Sequence, residues 1–108
     1  MKLTPDILRG AYEYLRTTPP FNKWGLPDGD EVGFHVSLSN INRGMYWNDG
    51  TPHIQISDRL HEHSYSIIAT MAHEMCHILD EGKAMHGAEF KRLTNLVCRF
   101  HGFDPAAF

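Results

Sequence analysis

The chain has 108 residues, 42% hydrophobic and 21% charged, the balance of one ordinary globular domain and not of a disordered or collagen-like chain. A formal charge of −3 excludes a strongly basic nucleic-acid binder, and two cysteines exclude a disulfide scaffold or a four-cysteine zinc module. No run of about 18 apolar residues offers a membrane span, and the charged N-terminal stretch lacks the apolar core of a secretory signal, so a cytoplasmic location is expected.

Thr4-Pro5 opens the first element, with a hydroxyl able to cap a helix and a proline tolerated at its first position. Ile7, Leu8, Ala11, Tyr12 and Leu15 recur at helical spacing until Pro19-Pro20. Residues 18–31 read as a Pro- and Gly-rich loop. From Val32 the period changes to two: Val32, Phe34, Val36 and Leu38 alternate with Gly33, His35, Ser37 and Ser39, which predicts a half-buried strand. A turn at Asn42-Arg43-Gly44 leads to Met45-Tyr46-Trp47. Asn48-Asp49-Gly50 is a hairpin signal, and the strand His53–Ser57 follows. A helix is predicted from about Ser64 to Glu81, ended by Gly82. A last one runs from about Gly87 to His101, with Phe90, Leu93, Leu96, Val97 and Phe100 on an apolar stripe and Gly102 closing it. Helix, three strands, helix, helix indicates an α+β fold, the helices packed on one face of a three-stranded antiparallel sheet.

Eight histidines, against ten Lys and Arg together, are the compositional outlier. Two of them lie in His73-Glu74-Met75-Cys76-His77, an H-E-x-x-H on the second helix. At about 100° per residue, positions four apart differ by about 40°, so both imidazoles project from one face and can share a Zn²⁺. Glu74 lies about 100° round from His73, badly placed as a third ligand but able to reach an attacking water as general base. Ile67, Ile68, Met71, Met75, Ile78 and Leu79 fall opposite the histidines, whereas Ser66, Ala69, Thr70 and Asp80 share their face. One side of the helix suits a core and the other a site.

Catalytic zinc needs three protein ligands and an open position. Metzincins place the third histidine in H-E-x-x-H-x-x-G-x-x-H, where this chain has Asp80 and Lys83, and peptide deformylases use a cysteine upstream of the motif, where this chain has none. Downstream, His86 opens the last helix and Gly82 lets the chain turn back, so His86 is the favoured third ligand, with Glu89 the alternative one turn on.

HEMCH followed by HGAEFK resembles the SprT-like family, which includes the Spartan proteases. The resemblance implies a minimal zincin core of the gluzincin type and a zinc metalloendopeptidase with His73, His77 and His86 as ligands and Glu74 as general base. It also implies protein or peptide substrates. Characterised relatives cleave proteins crosslinked to DNA and are stimulated by DNA, so DNA enters as a partner through the resemblance alone. The zinc ribbon and long basic tail of such relatives are not evident here. The reading from a different class is a zinc-stabilised module that binds DNA or protein without hydrolysis, the metal serving as a folding staple.

Around this centre the residues are less specific. His53–Ser57 is a candidate sheet edge on which an extended peptide could add as a strand. His61, His63 and Tyr65 are candidate oxyanion donors or simply solvated groups at the helix start. Asp80 is either a partner that orients a ligand imidazole or a surface acid. His35 and His101 read as structural, Cys76 and Cys98 as buried thiols, and Trp24, Tyr46 and Trp47 as core or cleft aromatics. Lys91, Arg92 and Arg99, beside Lys83, form a basic strip read as a solvated helix face.

Overall fold

The computed structural model describes residues 2–59, 64–80, 88–105 and 108. Helix α1 (Pro5–Arg16) starts where Thr4 Oγ1 accepts a hydrogen bond from the Ile7 N–H at 3.2 Å, with Pro5 in its first turn. Leu8, Tyr12 and Leu15 are its buried stripe, whereas Ile7, predicted to belong to it, is exposed. Tyr12 shows how a polar tip is accommodated: its hydroxyl donates to the Pro27 carbonyl at 2.6 Å, and burial pushes its pKa up. Gly10 lies exposed in the middle of α1, and a methyl group there would meet nothing within 4 Å. Gly10→Ala is therefore expected to stabilise the protein by about 0.5–1 kcal/mol, read as a higher urea midpoint.

The sheet has strands β1 (Gly33–Ser37), β2 (Gly44–Asn48) and β3 (Pro52–Ser57) in the order β1-β3-β2. It is mixed, not antiparallel as predicted: β3 pairs antiparallel with β2 and parallel with β1. The reason is the connection between β1 and β2. A tight turn would have made them neighbours, but residues 38–43 cross the end of the sheet instead and leave a slot, which the hairpin after Asn48 fills with β3. Backbone bonds hold that crossing in place, Ser57 N to Arg43 O and Asp58 N to Ser37 O, both at 2.9 Å. The buried Ser57 hydroxyl adds a third, donating to the Ser39 carbonyl at 2.7 Å. Because the chain turns off there, β1 ends at Ser37 and Leu38 is exposed, two residues short of the predicted strand.

One face of the sheet packs on the helices. Ile54 and Ile56 are fully buried there, Phe34 and Val36 pack beside them, and Tyr12 meets Phe34 edge-on at 5.4 Å. Helix α2 (Ser64–Asp80) contributes Ile67, Met71, Ala72, Met75, Cys76 and Ile78. Helix α3 (Ala88–His101) contributes Phe90, Leu93, Val97 and Cys98. Its predicted stripe is corrected at the end, where Phe100 is exposed. Gly102 closes α3 as predicted, with its N–H and that of Phe103 both bonded to the Cys98 carbonyl. Among the described residues, no helix is long and apolar enough to cross a membrane.

Candidate metal centre

Helix α2 runs beneath β2 and presents its polar face to the cleft between them. His73 and His77 stand one turn apart, ring centroids 5.1 Å and planes at 71°, as the four-residue spacing requires. Aromatic rings hold both imidazoles. Phe90 of α3 lies 4.5 Å from His77 and 5.4 Å from His73, Tyr46 of β2 is parallel to His77 at 6.1 Å, and Phe108 is 5.4 Å from His73. His77 is buried and His73 half-buried, so the pair is shielded yet reachable. Two imidazoles so placed suit a borderline-soft divalent cation such as zinc.

Glu74 is 5% exposed, and burial pushes its carboxyl up from 4.5 to about 7. Its neighbour across the cleft is Gly44. A Cβ there would stand 2.8 Å from Glu74 Oε2 and from Thr70 Cγ2, so the absence of a side chain at the start of β2 is what lets the strand close over the carboxylate. Gly44→Ala is expected to cost about 1–3 kcal/mol through this overlap, seen as a lower urea midpoint with an unchanged slope. The cleft has a volume of about 320 Å³, bounded by Arg43 and Gly44 on one side and Thr70, His73 and Glu74 on the other, with Phe108 at one end.

Of the predicted site, His73, His77 and Glu74 come together. His86 lies outside the described residues, as do His61, His63 and Lys83 and the side chain of Tyr65. Among the described residues, no group of three or more His, Cys, Asp or Glu is arranged to hold a metal. Glu89, the alternative ligand, is exposed and gripped by Arg92 through bonds of 2.6 and 3.0 Å. That pair also removes Arg92 from the basic strip, leaving Lys91 and Arg99 exposed on α3. Asp80 is 3% exposed, so it is not a surface acid. Cys76 and Cys98 are buried thiols, as predicted, and burial pushes both pKa values up, which makes them poor nucleophiles.

Two residues of the site carried no specific signal. Phe90 reads as core from its spacing, and periodicity cannot say that what it packs against is imidazole. Gly44 reads as a turn residue, although a glycine opening a strand is also a mark of close approach. Tyr46 proves to stack on His77. His53–Ser57 is corrected: β3 is the central strand with both edges bonded, and among the described residues the edge strand beside the cleft is β2.

The SprT-like family model matches residues 20–106. The chain belongs to the SprT-like family. The match extends well beyond residues 73–91, where the motif lies, and takes in the whole sheet, α2 and α3. No curated protein and no solved structure matches this SprT-like chain.

Proposed function

We propose that this SprT-like protein is a zinc-dependent peptidase. The observation that carries the reading is the pairing of His73 and His77 at 5.1 Å, with His73 and the buried Glu74 carboxyl both lining one cleft. A bare binding module has no use for an acid kept out of water beside two imidazoles. His73 and His77 would hold the ion with His86 as third ligand, a choice supported by the engagement of Glu89 with Arg92. When bound, Zn²⁺ polarises a peptide carbonyl and makes the attacking water more acidic.

The side chains do the remaining work. Glu74 takes the proton from the attacking water and returns it to the amine nitrogen as the C–N bond breaks. Phe90 and Tyr46 fix the imidazole planes, so little reorganisation is left for the reaction. An extended peptide would add to the outer edge of β2, its scissile carbonyl passing over Glu74 beyond Gly44. DNA is no part of the proposal, because the chain carries a formal charge of −3 and the α3 strip has lost Arg92 to Glu89.

Metal analysis tests the centre. The purified wild-type protein is expected to carry a single zinc per chain, and His77→Ala to carry far less after dialysis. An equal zinc content in both would refute the ligand assignment. Zinc retained with no hydrolysis of any unfolded protein would favour the non-hydrolytic module instead.

A further inference from the structure

The sheet face turned away from the helices carries a second group of imidazoles. Two-residue alternation puts His35 of β1, His53 of β3 and Trp47 of β2 on that face, with Trp47 directly opposite His53. His35 Nε2 lies 3.0 Å from His53 Nδ1, and His53 Nε2 lies 3.0 Å from Asp49 Oδ1 at the hairpin. The indole of Trp47 stacks on His53 at 5.0 Å and 9°, and on His35 at 5.2 Å and 28°.

These contacts settle the tautomers. The ionised Asp49 carboxylate accepts from His53 Nε2–H, so a neutral His53 must leave Nδ1 as a lone pair aimed at His35 Nε2. A carboxylate on the far nitrogen is also the device that orients a metal-ligating imidazole. Gly33 keeps the near nitrogen accessible, since a Cβ there would overlap His53 Nδ1. The spacing of the two nitrogens also falls within the span that one ion can bridge. Two nitrogens each about 2.0–2.1 Å from a shared ion stand about 3.3 Å apart at a tetrahedral angle and about 2.9 Å apart at a right angle. The observed separation is that of the hydrogen bond between the two rings and lies in this range, and imidazole donors suit Ni²⁺ and Cu²⁺.

We propose that His35 and His53 form a two-imidazole site for a divalent cation of the nickel or copper type, with Asp49 orienting His53 and water filling the other positions. Without the cation, His35 Nε2–H donates to His53 Nδ1. On binding, that hydrogen moves to His35 Nδ1 through solvent, both rings stay neutral and nothing is oxidised or reduced. The site lies on the opposite face of the sheet from His73 and His77 and is independent of the peptidase reading.

Trp47 is a built-in reporter. In Trp24→Phe protein, where Trp47 is the remaining tryptophan, NiCl₂ is expected to quench emission saturably. The same quenching is expected when His77→Ala is added to remove the α2 pair. His35→Gln, which can still donate to His53 Nδ1 but offers no second imidazole, should lose the saturable phase. Asp49→Asn should weaken nickel binding about 10–100-fold. Circular dichroism of each variant checks that the fold is retained. Absence of saturable quenching, or equal quenching in folded His35→Gln, would overturn the proposal, the second outcome marking adventitious binding elsewhere.

Discussion

Glu74→Gln is expected to lower peptide hydrolysis by about 10²–10⁴-fold while leaving zinc content and fold unchanged. The size follows from what the substitution removes. Glutamine keeps the shape of the side chain and therefore its fit against Gly44 and Thr70, whose close approach leaves no room for a bulkier group. It cannot accept a proton from water, so the step that generates the nucleophile loses its base. His73 and His77 are untouched, which is why the metal should remain. The measurement is the rate of cleavage of an unfolded protein or peptide, paired with zinc analysis of the same sample. Wild-type hydrolysis by the zinc-loaded variant would remove Glu74 from the mechanism.

The same substitution separates the two proteins in a second way once the metal is stripped. In the metal-free protein, burial raises the Glu74 carboxyl from 4.5 to about 7, against about 4.5 in the unfolded chain. The folded protein thus holds a proton that the unfolded chain releases. The stability that this group contributes is complete below about pH 4.5, declines as pH rises and reaches its lower plateau above about pH 7. At about 1.4 kcal/mol per unit, the loss from this group is about 3 kcal/mol. Glutamine has no proton to lose, so metal-free Glu74→Gln should not share this decline. Urea unfolding of chelator-treated proteins at pH 5 and pH 8 provides the check. If wild type and variant change in parallel between the two pH values, the carboxyl is not held neutral by its surroundings.

The parts of this fold legible in the sequence are those with local causes. Thr4-Pro5 announces the start of α1, Asn48-Asp49-Gly50 announces the hairpin, and Gly102 marks the end of α3. Each depends on a few adjacent residues and their own backbone preferences. The shared direction of His73 and His77 was legible for the same reason, because a helix converts spacing directly into direction. What escaped depends on contacts between distant segments. Strand order is decided by whether residues 38–43 turn or cross, and those residues carry no pattern that distinguishes the two. The place of Phe90 against His77, of Gly44 against Glu74, and of His35 against His53 each needs two or three elements already assembled. Exposure of Phe100 came from the same source, since the turn of α3 that faces the core is set by what lies beneath it.

With partners on both sides, β3 is denied the freedom to slide. Displacing it by a single residue would reverse every side chain along its length. The imidazole of residue 53 would be driven among hydrocarbons, and two isoleucines now wholly sheltered would be turned out to water, at a cost of about 1.5–3 kcal/mol each. Both neighbouring strands would lose their ladders in the same move. Misalignment is thus penalised three times over by one short segment.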